Sequence, residues 1–421
     1  MMKKFAAIIA AGIFFLTANF AQATNYVPSE PPEGVPRNIE PYDVPSEPPE
    51  GVPRDIEPYD VPSEPPEGVP RDIEPYDVPS EPPVITEPPP TEESEGLEFL
   101  MYNENGVMAF AVIADHEKYQ VRPFLAKNQI PGLATVSQMN SPYAIATINA
   151  SYFAANGVIF GNTKIDGVTA GTTYFIRSAI GIREDGTTIF ARQSYRGVLQ
   201  FNGEEIIVDG VNCERNANTV IVYNLWNGAT TRTNNFGVEI VVQDGVVTNI
   251  LRDKGNNQIP RDGFIISAHG TAAENFKGVY VGDTIIFEED YINVEHGADF
   301  NEAIHIVGAG PTLVKGGEIY VTADAEQFPA DIRVGRAPRS AFGITQYGDY
   351  IFAVVDGRQA HSKGCTLTEW ARILKNNFGA VEAINLDGGG SSELIFKGQL
   401  VNSPSDGHER RVGDVLMIIP K

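Results

Sequence analysis

Asn385 and Asp387 stand two residues apart at the end of an apolar run, in the stretch INLDGGGSSELIF over residues 384–396. In an extended strand that spacing puts both side chains on one face, with Leu386 turned to the other. Three glycines, Gly388 to Gly390, follow at once, and the hydroxyls of Ser391 and Ser392 come next. Successive glycines admit conformations closed to other residues and let a ligand approach bare amides. Such a set can hold a polyhydroxylated or anionic ligand against one fixed carboxylate. A flexible hairpin turn with incidental glycines fits the same letters.

Other chemistries find less support. The six histidines are scattered without metal-ligand spacing, which argues against a histidine-based zinc site. His361, after the VDGR run, and His408, near Arg410, read as solvated loop residues, with contact to a substrate the alternative for each. Ser391 lacks the G-x-S-x-G context of a nucleophile elbow. Cys365 stands at a predicted helix start, where the dipole favours a thiolate, but it has no partner nearby in sequence and reads as packing. No cofactor is expected. Oxygen ligands for a structural calcium are plentiful, without an EF-hand pattern.

The elements that must carry these residues are mostly strands. Short β-branched and aromatic runs recur at 107–114, 144–149, 188–192, 237–242, 263–268, 283–288 and 350–355, broken by Gly, Asn and Asp. A further strand is expected over 381–386, and another over 393–396. One helix stands out. Thr366 and Glu369 have capping-box spacing, and Leu367, Trp370, Ala371, Leu374 and Phe378 recur at helical intervals. Gly379 falls where a left-handed terminating residue belongs. Strands without regular βαβ alternation predict an α+β fold, a single strand-rich globular domain with mixed sheets over residues 96–421.

Around the glycine turn lie PRSAFGI (338–344), VVDGR (354–358), GCTLTEWARIL (364–374), KGQLVNSPSDG (397–407) and ERRVGDVLMII (409–419). ATINASYF (146–153) and GAGPTLVKGGEI (308–319) precede them. In this order the segments resemble the phosphodiester glycosidase family, densely over 305–421 and more loosely from 140. The resemblance implies removal of a sugar from a phosphodiester at its anomeric carbon. It also implies a site lined by Asn149, Arg339, Asp356, Arg358, Asn385, Asp387, Gly388, Gly389, Ser391, Asn402 and Arg410 or Arg411. Family members commonly carry glycine where Ala150 and Ser151 stand, so a narrower sugar pocket is expected here.

The chemistry of such a cleavage suits these residue types. Glycoside hydrolysis passes through an oxocarbenium-like state that carboxylates stabilise, one of them acting as base or nucleophile. Phosphate departs as a stable anion, so guanidinium groups matter more than acid assistance. Arg333, Arg336, Arg339, Arg358, Arg410 and Arg411 supply them, and surface salt bridging is expected for at least two. Asp387 is the expected essential carboxylate and Asp356 its partner. A strand-end Asp that caps amides and an Asp-Gly turn remain the alternative readings. A glycan-binding module without turnover is the rival function.

The rest of the chain bounds where this happens. Lys3 and Lys4, an apolar run from Phe5 to Phe20 and Ala21-Gln22-Ala23 predict a signal peptide over 1–23, hence a secreted protein, extracellular or periplasmic. A retained N-terminal anchor is the competing reading. No transmembrane segment is expected after cleavage. Residues 27–43, 44–60 and 61–77 repeat one unit, VPSEPPEGVPR(N/D)IEPYD. With five prolines and four or five acids per unit, this predicts an extended linker over 24–95, unable to fold on its own. The stretch 27–98 holds 20 acidic and 3 basic residues, so most of the net charge of −24 lies there. The moderately acidic domain has no basic face for nucleic acid. Cys213 and Cys365 are too few for a disulfide scaffold and are read as separate thiols. Oligomeric state is not legible. The expected partner is a glycan or sugar-phosphodiester substrate.

Overall fold

The computed structural model describes residues 96–421, apart from Tyr174. The expected signal peptide and repeat linker lie outside the described residues. No helix among the described residues is long and apolar enough to cross a membrane.

Four sheets account for most of the domain. The first has seven strands in the order Leu97–Glu104, Val107–Ala114, Tyr350–Val355, Arg339–Thr345, Ala380–Asn385, Thr312–Lys315 and Glu318–Ile319. The second has five, in the order Gln399–Leu400, Leu394–Phe396, Ala146–Asn149, Asp414–Pro420 and Tyr119–Leu125. A third is built around Thr188–Phe201, Arg177–Ile182 and His305–Gly308, and a fourth around Val220–Tyr223, Gly263–Ala268 and Val238–Gln243. Pairing is antiparallel throughout, save one two-residue parallel ladder joining Gly210–Val211 to Val220–Tyr223. The fold is therefore strand-rich, as expected, and its sheets are mixed only at that short ladder.

Side-chain alternation divides the first sheet into two working faces. Phe110, Val112, Phe352, Val354 and Ile384 point toward the second sheet and meet Ile148, Leu394, Leu416 and Ile418 in one core. Ala109, Ala111, Ala341, Ala353 and Val355 point the other way and form a shallow floor under the helix Leu367–Asn377. The floor is mostly alanine, and that leaves room for Trp370, which is fully buried on it. The helix ends as predicted. Thr366 and Glu369 make the reciprocal capping box, and Gly379 follows the last turn with φ +73°.

Trp370→Ala should cost about 3–5 kcal/mol of unfolding free energy. The indole Nε1 has no hydrogen-bond partner, so Trp370→Phe should cost far less, and urea denaturation of both variants checks the contrast.

This helix links two strands that run in the same direction with the antiparallel strand Arg339–Thr345 between them, a split βαβ unit. The topology has a direct consequence for function. The chain leaves Tyr350–Val355 at Asp356, leaves Ala380–Asn385 toward Asp387, and enters the middle strand at Arg339. All three ends therefore meet at one edge, since Arg339 pairs with Val355 and Ala341 with Asn385. In the second sheet Val415 pairs with Asn149, which brings Asp414 beside Ala150.

Candidate active site

The site is built where these ends converge. Ile384 and Leu386 are locked into the inter-sheet core, so Asn385 and Asp387 face away from it, as their spacing predicts. Asp387 is fixed by its own backbone: its N–H donates to the Ala150 carbonyl at 2.9 Å, and its carbonyl accepts from Asn149 Nδ2 at 2.7 Å. Its carboxylate accepts from the Gly388 N–H at 2.8 Å. Burial raises its pKa from 3.8 to about 6. The Ser391 hydroxyl, the Gly388 amide and Arg410 pull it down, and the charge of Asp414 pushes it up.

The glycines have separate reasons. A Cβ on Gly388 would press on the Pro338 carbonyl oxygen at 2.9 Å, so this backbone passes too close for a side chain. Gly389 has φ +68°, and the Arg358 guanidinium lies over it, with Nη1 3.3 Å from where a Cβ would be. Arg358 itself adopts φ +60° and is exposed. No carboxylate lies within 4.0 Å of its guanidinium among the described residues. Arg411 is likewise exposed and forms no ion pair among the described residues, whereas the other four arginines are engaged. Arg410 pairs with Asp406 through Nε at 2.9 Å and Nη2 at 2.7 Å. Arg333 pairs with Asp324 and Arg336 with Glu369, so that with Arg410 three of the six form salt bridges, where at least two were expected. Arg339 is buried and donates to the carbonyls of Cys365, Ile332 and Gly335, so it holds the 332–335 turn against the helix start.

Asp356 does not stand in the open as a second carboxylate. It is 1% exposed, and both of its oxygens are taken. Oδ1 accepts from Asn402 Nδ2 at 3.1 Å and the Ser403 N–H at 2.9 Å, and Oδ2 pairs with His361 Nε2 at 3.0 Å. Burial raises its pKa, and these partners oppose the shift. The imidazole of His361 is exposed, as read from the sequence, and is oriented by a buried carboxylate, which the sequence did not indicate.

Several motif residues give their polar atoms to the protein. Asn149 Oδ1 accepts from Ser340 Oγ at 2.7 Å and the Glu393 N–H at 3.2 Å, so this side chain joins the two sheets beneath Asp387. Asn402 donates to Ser392 as well as Asp356, and accepts from the Leu394 N–H. Asn385 Nδ2 donates to the Tyr152 hydroxyl at 3.0 Å, which donates to the Gly310 carbonyl at 3.0 Å. Among the described residues, Asn385 Oδ1 and the Ser392 hydroxyl are buried without hydrogen-bond partners. Unmet polar groups of that kind cost stability unless a ligand or water completes them, which suits a binding turn.

Sequence reasoning passed over Tyr152, Glu393 and Asp414. Burial, with the nearby Asp387 charge, pushes the Tyr152 phenol far above its usual range. The Glu393 carboxyl is fully buried and is raised to about 8, chiefly by desolvation. The expected intrusion of Ala150 and Ser151 into a sugar pocket is not seen. Both are 1% exposed, and Ser151 turns to Asp414 instead. Cys213 and Cys365 are free thiols. Burial pushes Cys365 up to about 12, the opposite of dipole activation, and it packs under the helix. Among the described residues one metal-ligating group comes together, Asp115, His116 and Asp349, which flank the opposite ends of the strands leading to the site.

A strand-end carboxylate, a glycine turn and a guanidinium over bared backbone thus come together, groups whose chemistry suits an anionic, hydroxyl-rich ligand. Residues 236–419 match the phosphodiester glycosidase family. It is 28% identical over 177 residues to the mouse N-acetylglucosamine-1-phosphodiester alpha-N-acetylglucosaminidase, covering 39% of this chain and 33% of the mouse protein. It is 39% identical over 89 residues to the SPbeta prophage-derived uncharacterized protein YomE of Bacillus subtilis (strain 168), or 21% of this chain and 14% of that protein. The chain thus spans a third or less of these relatives. A crystal structure of a hypothetical protein from Synechocystis superposes with TM-score 0.65 at 26% identity, covering 77% of this chain and 62% of that one.

Proposed function

We propose that the domain is a secreted hydrolase that cleaves the glycosidic bond of sugar-1-phosphodiesters, with an N-acetylhexosamine as the sugar and an envelope or extracellular polysaccharide as the source. The observation that carries this reading is the pairing of roles at the glycine turn. A desolvated carboxylate, Asp387, stands beside Gly389, over which lies the solvent-facing guanidinium of Arg358, without a carboxylate partner among the described residues. In this scheme Arg358 binds the phosphate and stabilises the charge that gathers on its departing oxygen. Asp387 serves as base or nucleophile toward the anomeric carbon. His361, oriented by Asp356, presents a second cationic or proton-carrying group at the rim. The name of the mouse relative supports the substrate class, and the leader-like N-terminus supports action outside the cytoplasm.

The test is a screen of sugar-1-phosphodiesters against residues 96–421. Free sugar should appear, and in ¹⁸O-labelled water the label should enter the sugar. Label in the phosphate would mean P–O cleavage. Binding without release would mean a glycan-binding module.

A further inference from the structure

We propose that Ser151 and Asp414 form a positioning pair for Asp387: a buried negative charge held behind the reacting carboxylate, which makes it a better proton acceptor. The inference rests on reading Asp387 as the base of the proposed hydrolysis, and it assigns a role to two residues that reading leaves unused.

The geometry runs through Ala150. The Asp387 N–H donates to the Ala150 carbonyl at 2.9 Å, and the Ala150 N–H donates to the Asp414 carbonyl at 3.3 Å. The next residue completes the link. The Ser151 N–H donates to Asp414 Oδ1 at 2.8 Å, and Ser151 Oγ donates to Oδ2 at 2.7 Å. Asp414 is fully buried and forms no ion pair among the described residues; burial raises its pKa to about 6 against the pull of the Ser151 donors, so it carries its charge toward neutral pH.

A buried carboxylate without a cation is costly, and two donors from one serine offset only part of that cost. Architecture alone does not require the charge. An asparagine at 414 would accept from the Ser151 N–H and donate to its Oγ, keeping the same shape with no buried ion. The charge therefore needs another reason, and the group that feels it is Asp387. Asp387 is otherwise faced by Arg410, the Ser391 hydroxyl and the Gly388 amide, all of which favour its ionised form. Tyr152 also lies within reach of its charge, as it does of the Arg339 charge. Asp414 is the counterweight that keeps Asp387 basic near neutral pH, where a general base works best. In the step it serves, a water oxygen bonds to the anomeric carbon while the bond from that carbon to the phosphate oxygen breaks. The electron pair leaves on the phosphate, and the water proton passes to Asp387.

Asp414→Asn in the full chain tests this with two readouts. The first needs no turnover: ¹³C carboxyl shifts of aspartate-labelled protein, with the Asp387 signal assigned by its loss in Asp387→Asn. The Asp387 titration midpoint should fall by roughly half a pH unit or more in Asp414→Asn, as expected when a nearby like charge is removed. The second is the acid limb of kcat/KM against pH, which should move down by the same amount. Ser151→Ala, which weakens the hold on the Asp414 charge, should move both in the same direction by less, and it carries the test if Asp414→Asn does not fold. An Asp387 midpoint unchanged in both variants overturns the proposal. A shifted midpoint with an unmoved acid limb upholds the pair and overturns Asp387 as the base.

Discussion

Asp387→Asn is expected to remove sugar release while leaving the protein at least as stable as the parent. Loss of a general base or nucleophile should lower kcat by roughly 10²–10⁴-fold. The stability arm follows from linkage. The Asp387 pKa is raised in the folded protein from 3.8 to about 6, so the folded state binds the proton more tightly than the unfolded chain. Its contribution is then fully present below about pH 4 and is lost as the pH rises toward 6. Asparagine does not ionise and escapes that loss. The melting temperature of Asp387→Asn relative to the parent should therefore climb between pH 4 and 6 and level off above. A variant that keeps near-normal turnover would remove Asp387 from the mechanism, and one that melts early at pH 7 would mark it as a structural cap.

Arg358→Ala should lower kcat/KM on a sugar-1-phosphodiester by roughly 10–100-fold, the range expected when a charged hydrogen-bonding partner worth about 1.5–3 kcal/mol is lost. Arg358→Lys should recover only part, because an ammonium cannot match the bidentate geometry of a guanidinium. Arg410→Ala is the informative comparison. Its guanidinium is already engaged with Asp406, so its removal should weaken turnover less, through the loop rather than through direct phosphate binding. Equal losses at the two positions would mean that the salt bridge opens on binding and that both arginines share the anion.

Much of the scaffold was legible because it obeys local rules. The strand Val107–Ala114 and the strand Tyr350–Val355 fall where their apolar runs put them, and the helix begins at the capping residue and ends at the glycine that the pattern marked. The long strand Thr188–Phe201 was seen only in its first third, because Gln193, Ser194 and Arg196 break the apolar pattern that continues through pairing with distant partners. The candidate site was legible as a neighbourhood rather than as a set of roles. Asp387 and the glycines are local, and their spacing carried real information. Whether Asp356 faces ligand or protein depends on Asn402, Ser403 and His361, of which only His361 is near in sequence. Asp414 gave no sign at all: it opens a strand after Gly413, as many aspartates do, and only tertiary pairing sets it behind Ala150.

The Asp356 carboxylate ties the turn that carries Arg358 and His361 to the Asn402–Ser403 segment. Gln359 and Ser403 repeat the stitch, through Gln359 Nε2 to the Ser403 carbonyl at 2.7 Å and Ser403 Oγ to Gln359 Oε1 at 2.9 Å. The two segments are thereby tied to each other and are expected to move together. Little binding energy should then be spent on ordering these segments, and structures with and without a ligand should superpose there.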